Sequence, residues 1–266
     1  MPELPEVETI RTALEPRVRG RTVVDAGAFP SAKFDAAPEA GGATFEEIAR
    51  RGKYLLLALD DDRELVIHLG MTGVLRVVPE RTEGDPFLRA WWALDDGSVF
   101  EFSDVRRFGR VACVARGDYR SLPTLHALGP EPLGDEFTPN GLHAALNASR
   151  RAIKTQLLSQ RPVAGVGNIY ADEALWVARV RPTDRSITRP KATRLHGAIR
   201  DVLAAAIERR GTTLRDYRTL DGSYGENQET LLAYGRAGLP CARCGRPLRK
   251  LAFDGRTTVY CAHCQR

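Results

Sequence analysis

The sequence predicts an α+β, multidomain chain: an N-terminal helix leading into a β domain, then a helical domain, then a cysteine-bearing hairpin. Three observations predict it. Short apolar or alternating runs fill residues 21–116, with turn-formers such as "DDDR" and "DDGS" between them. Beyond them the apolar spacing lengthens to three and four residues, the period of a helix. Four of the five cysteines then fall within residues 241–266, as two C-x-x-C pairs.

The elements follow in order. The opening "MPELPE" places Pro5 where a first helical turn tolerates it, because the missing N–H would be unpaired there anyway. Glu6 and Glu8 lie in the same turn, where the helix dipole favours negative charge. Val7, Ile10 and Leu14 share one face, so a docked helix is expected over 5–14. The runs "KYLLLAL", "ELVIHL", "GVLRVV", "RAWWAL", "SVFEF" and "RVACVAR" read as strands of a sandwich or a barrel. Cys113, inside the last of them, reads as a small core residue. "GDYRSLPTLHALGPEPLGDEFTPNG" carries Gly, Pro and Asp without a period and reads as linker. "RLHGAIRDVLAAAIERRG" puts Leu195, Ile199, Val202, Leu203, Ala206 and Ile207 on one face, and Gly211 is its stop signal. The expected domains are 1–118, a linker over 119–136, a helical domain over 137–225 and a ribbon over 232–266.

Composition narrows the function classes. With 43% hydrophobic residues the chain can bury a core. No apolar run reaches the roughly 18 residues of a membrane span, and no basic-then-apolar export signal opens the chain, so a cytoplasmic protein is expected. The net charge of +5 favours an acidic partner such as nucleic acid. Of the 39 basic residues only Lys33, Lys53, Lys154, Lys191 and Lys250 are lysines. An arginine excess suits bidentate phosphate contacts, and GC-rich codon usage produces the same excess.

"CARCGRPLRKLAFDGRTTVYCAHC" supplies four thiolates, Cys241, Cys244, Cys261 and Cys264, at the spacing of a tetrahedral zinc site. Disulfides are the rival reading, and a chain without an export signal keeps its thiols reduced. "LRKLAF" and "TTVY" read as strands joined by an Asp254-Gly255 turn, which puts Arg256 at a hairpin tip. Arg236, Arg243, Arg246, Arg249, Lys250 and Arg266 crowd the same stretch, as suits a phosphate-gripping ribbon better than a bare staple. In "VAGVGNIYADEALW", Gly165 and Gly167 precede a helix with Asn168 as its expected N-cap, and Arg150, Arg151 and Lys154 lie just upstream. A glycine-loosened helix start with basic neighbours is an anion seat.

Together, "PELPEVETIR", "GKYLLL", "HLGMTG", "RRFG", "LGPEPL", "AGVGNIYADEAL", "GTTLRDY", "YGRAGLPCARCG" and "YCAHCQR" resemble, in family order and over the whole chain, the bacterial formamidopyrimidine-DNA glycosylases, of the family shared with endonuclease VIII. The resemblance implies an N-terminal β-sandwich, a helix-two-turns-helix domain and a zinc-ribbon hairpin with one structural zinc per chain. It implies a monomer acting on double-stranded DNA that carries damaged bases or abasic sites. Removal of Met1 would expose Pro2 as the nucleophile, apt because an α-amino group titrates near about 8 and a lysine near about 10.4. Glu3 would move protons, Glu6 would position the amine or a water, and Lys53 would contact phosphate and assist. Met71, Arg106 and Phe108 would fill the gap left by the flipped nucleotide, and Asn168, Arg256 and Lys154 would hold phosphates beside it. That intact trio implies oxidised purines as substrates. An endonuclease VIII-like taste for oxidised pyrimidines and a non-catalytic damage binder are the alternatives. Two departures from the family pattern stand out. Val105 replaces the usual proline before "RRFG", and Asn227 stands where many relatives carry an aromatic residue.

Overall fold

The computed structural model describes residues 2–266, so the expected removal of Met1 lies outside the described residues. The chain forms two compact units, Met1–His126 with Arg210–Glu226, and Ala127–Arg209 with Asn227–Arg266.

The first unit opens with helix α1, Leu4–Val18, longer at both ends than the expected 5–14. Its strands are β1 (Val23–Ala28), β2 (Phe45–Arg51), β3 (Tyr54–Leu59), β4 (Arg63–His68), β5 (Gly73–Val78), β6 (Leu88–Leu94), β7 (Val99–Asp104) and β8 (Arg110–Ala115). They make two four-stranded antiparallel sheets, ordered β1-β6-β7-β5 and β2-β3-β4-β8, so the architecture is a sandwich and not a barrel. β1 ("VVDAGA") and β2 ("FEEIARR") escape an apolar count because each buries little of its length. β3 and β7 are buried along every residue, which is why "YLLLAL" does not alternate. Val7, Ile10 and Leu14 of α1 enter the same core as Leu55, Leu57, Ile67, Trp92, Phe100 and Phe102.

The segment 210–225, placed with the helical domain by its sequence, packs in this first unit. Tyr217 and Leu220 join its core, and the Thr212 N–H donates to Glu6. The expected linker holds a short helix, α2 (Pro123–His126), whose neighbour Leu122 is buried with Leu125.

The second unit contains α3 (Pro139–Asn147), α4 (Ile153–Leu158), α5 (Asn168–Ala178), α6 (Arg189–Glu208) and the antiparallel pair β9 (Arg249–Phe253) and β10 (Arg256–Tyr260). Asn168 is the first helical residue of α5 and Gly167 is the N-cap, one residue earlier than the sequence suggested. Leu195, Ile199, Leu203 and Ala206 are the buried face of α6, and Val202 and Ile207 lie at its edges.

Candidate functional site

Pro2 and Glu3 are both buried at the start of α1, where a chain terminus is ordinarily loose. The sequence explains the docking. Glu3 is the N-cap of α1 and Glu6 its third helical residue, a reciprocal capping box. The Glu3 N–H donates to Glu6 Oε2 at 2.7 Å, and Glu6 Oε1 accepts the Thr212 N–H at 2.7 Å. One buried carboxylate therefore holds both the helix start and the 210–226 segment. Gly211 permits this approach: its φ is +80°, and a Cβ there would lie 2.8 Å from Glu6 Cγ and Oε1. Tyr217 adds its hydroxyl, which donates to the Arg210 carbonyl at 3.1 Å.

Lys53 is buried in the turn between β2 and β3. That turn is tied to α1 through Arg50, which donates to Glu8 at 2.7 Å and to the Gly52 carbonyl at 3.0 Å. His68, which sequence reasoning did not single out, lies beside Lys53 at the end of β4. Burial, then the charges of Lys53 and Arg110, lower its pKa to about 4, so it is a neutral ring at pH 7. Its Nδ1 accepts the Gly70 N–H at 3.2 Å, which fixes the turn before Met71.

Met71, Arg106 and Phe108 come together although three strands, β5, β6 and β7, separate Met71 from the other two in the chain. Arg106 Nη1 lies 3.5 Å from Met71 Sδ, and its guanidinium sits over the Phe108 ring at 4.7 Å. Lys33 flanks that ring at 5.7 Å and donates through Nζ to the Arg107 carbonyl at 2.6 Å. The Phe108 side chain, 49% exposed, is therefore a presented hydrophobe held between two cations. Asp104, fully buried, organises both loops. Oδ1 accepts from the Thr72 hydroxyl and from the Arg106 N–H at 3.2 Å, and Oδ2 accepts the Gly109 N–H at 2.7 Å. Gly70 and Gly109 meet backbone to backbone: a Cβ on Gly70 would lie 2.5 Å from the Gly109 nitrogen. Asp104 and Thr72 were missed because a strand-end aspartate and a turn threonine carry no signal of their own.

In the second unit, Lys154, expected to hold a phosphate, stands as a buried cation. Its Nζ lies 2.6 Å from Asp172 Oδ1, 2.9 Å from Thr258 Oγ1 and 3.1 Å from the Thr257 carbonyl. Asp172 completes the lock by accepting the Val259 N–H at 2.9 Å. Burial raises the Asp172 pKa to about 6, and the Lys154 ammonium opposes that rise. Asn168 Nδ2 donates to the same Thr257 carbonyl at 3.1 Å, so the start of α5 and strand β10 share one acceptor. Arg256 begins β10 and is exposed, next to the turn residue Asp254 that accepts from the Thr155 hydroxyl. The Glu173 carboxylate gathers the N–H groups of Leu232, Ala233 and Tyr234, which fixes the chain entering the ribbon.

The four ribbon cysteines are free thiols with their sulfurs all within 4.8 Å of one another, Cys244 and Cys261 at 3.6 Å. A tetrahedral zinc with bonds of about 2.3 Å needs sulfurs about 3.8 Å apart, so the set fits that ion. Cys113 is half-buried against the core, and burial pushes its thiol up, as suits a packing residue.

Comparison with known proteins agrees along the whole chain. Residues 1–111 match the family model for the formamidopyrimidine-DNA glycosylase N-terminal domain, 128–218 the model for the formamidopyrimidine-DNA glycosylase H2TH domain, and 238–266 a zinc finger found in FPG and IleRS. The formamidopyrimidine-DNA glycosylase of Deinococcus radiodurans is 45% identical, covering 100% of this chain and 97% of that protein. The Thermus thermophilus enzyme of the same name is 48% identical, covering 100% and 98%. Its crystal structure superposes with a TM-score of 0.92 over 99% of this chain and 98% of that one. The complex of Lactococcus lactis Fpg with DNA containing an abasic site has a TM-score of 0.89 at 34% identity, over the full length of both chains.

Proposed function

The chain belongs to the formamidopyrimidine-DNA glycosylase family, and we propose that it excises 8-oxoguanine and ring-opened formamidopyrimidines from duplex DNA and then cleaves the abasic strand. It is a base-excision-repair DNA glycosylase with abasic-site lyase activity and a structural zinc ribbon. The observation that carries the residue assignment is the buried hydrogen-bond chain Glu3–Glu6–Thr212, which fixes the backbone beside Pro2.

In this reading the secondary amine of Pro2 attacks the sugar C1′, and the bond from C1′ to the base breaks with its electron pair leaving on the base. Glu3 passes a proton to the sugar ring oxygen or to the departing base. Ring opening leaves an iminium between Pro2 and C1′, which acidifies C2′; loss of that proton expels the 3′ phosphate. Glu6, held by two N–H groups, positions Pro2 and does not itself transfer the proton. Lys53 presents its ammonium to a phosphate beside the lesion. The apolar Met71 and Phe108 occupy the space of the extruded nucleotide, and Arg106 donates to the orphaned opposite base. Asn168 and Arg256 hold phosphates in the second unit. The zinc holds the ribbon's two knuckles together and takes no part in bond breaking.

Each chain carries one full set of these residues, which supports action as a monomer, and a DNA substrate together with bacterial relatives supports a cytoplasmic location. Among the described residues no helix is long and apolar enough to cross a membrane. A panel of duplexes carrying 8-oxoguanine opposite cytosine, formamidopyrimidine and thymine glycol tests the substrate class. Faster release of both purine lesions is expected; preference for thymine glycol would move the enzyme to oxidised pyrimidines.

A further inference from the structure

Trp176 lies in the last turn of α5 and is 4% exposed. Its ring packs among Ala233, Leu248 and Val259 and against the buried Cys241 and Cys261. Arg243, between the first two cysteines, stacks its guanidinium 3.8 Å from the ring centroid. The same Arg243 donates to the Trp176 carbonyl and, at 2.9 Å, to that of Val177, capping the end of the helix. The face and the carbonyl of Trp176 are thus committed, but its indole N–H is not: Nε1 is buried and closes no hydrogen bond among the described residues. Tryptophan N–H groups ordinarily find a partner when buried. A neighbouring acceptor is the buried Cys241 sulfur, packed in the same cluster as the ring.

A neutral thiol is a weak acceptor, whereas a zinc-bound thiolate carries negative charge and accepts a charge-assisted bond. We propose that Trp176 is an outer-shell partner of the zinc, its indole N–H hydrogen-bonding the Cys241 thiolate and holding that ligand on the metal. The assignment rests on the four cysteines forming the zinc site. It gives α5, the helix whose start carries Asn168, a second link to the ribbon at its other end. An N–H bond to the thiolate stabilises the metal-bound form against protonation and against transfer to a competing chelator. Loss of an outer-shell partner typically weakens metal binding about 10–100-fold. The backbone N–H groups of Arg243 and Cys244 also approach Cys241, so the lower end of that range applies.

The test replaces zinc by cadmium-113 in the full-length protein and records proton–cadmium correlation spectra, after confirming one cadmium per chain. Backbone N–H groups on ligand sulfurs, such as Cys264 on Cys261 at 3.4 Å, serve as the positive control. An indole proton correlated with cadmium, absent in Trp176→Phe, is expected. Chelator-driven zinc release is expected to be about tenfold faster in Trp176→Phe, which keeps the ring and removes only the donor. Backbone correlations without an indole correlation, or an unchanged release rate, would overturn the proposal. If Trp176→Phe does not fold, the wild-type spectrum decides alone, because the other two tryptophans, Trp91 and Trp92, lie in the other unit, where Trp92 donates its indole N–H to Ala37, and nitrogen-15 labelling distinguishes the indoles. A chain that binds no cadmium would overturn the zinc site itself.

Discussion

Glu3 caps α1 while its own N–H is held by Glu6, so its carboxyl stays at the helix start beside Pro2. Glu3→Gln keeps that shape and removes the transferable proton. Single-turnover base release is expected to fall by about 10²–10⁴-fold, the usual worth of a positioned acid or base. Affinity for a duplex carrying a stable abasic-site analogue should be unchanged; a parallel loss of binding would mean that the residue organises the site instead. His68 makes a different residue-scale prediction. Its folded pKa is lowered from 6.5 to about 4, so the unfolded chain takes up a proton first as the pH falls. Stability from this group is fully present above pH 6.5 and lost progressively down to about pH 4, a loss of about 3 kcal/mol. Urea denaturation of the wild type and His68→Gln over that window checks it. The two should converge as the pH falls; parallel curves would show that His68 titrates normally.

The elements divide into those whose cause is local and those whose cause is distant. The α1 start, the strand runs, the Asp254-Gly255 turn and the two cysteine knuckles are legible because residues a few positions apart decide them. The distant ties are not. Glu6 meets Thr212 across 206 residues, and nothing around "GTTLRDY" marks it as part of the first unit except that buried bond and the Tyr217 ring. Lys154 shows a distant tie where the sequence suggests a local one. Two neighbouring arginines and a glycine turn suggest an anion seat, but the lysine points into the protein because Asp172 and the Thr257 carbonyl await it there. It ties α4 to α5 and β10, and so sets where the Arg256 hairpin begins. Lys154→Met leaves Asp172 buried without its cation, at a cost of about 3–5 kcal/mol. Adding Asp172→Leu should recover part of that cost. A double-mutant cycle by urea denaturation reads the coupling, and additive losses would show that the two residues do not act as a pair.

At the scale of the whole molecule, the proposed function draws on candidate residues from both units. The first presents the Pro2–Glu3 start and the Met71, Arg106 and Phe108 cluster; the second presents the start of α5 and the zinc ribbon. The candidate residues were legible because few other roles explain a Pro-Glu start directly ahead of a helix or paired C-x-x-C knuckles. Their supports, Asp104, Thr72, Glu173 and Trp176, were not, since each is an ordinary residue until its partner is known. Borohydride trapping on an 8-oxoguanine:cytosine duplex, with mass spectrometry of the adduct, tests most directly whether Pro2 is the nucleophile. A covalent adduct on the amine of Pro2 in a chain lacking Met1 is expected. An adduct on a lysine, or no adduct while the damaged duplex is still bound tightly, would contradict it.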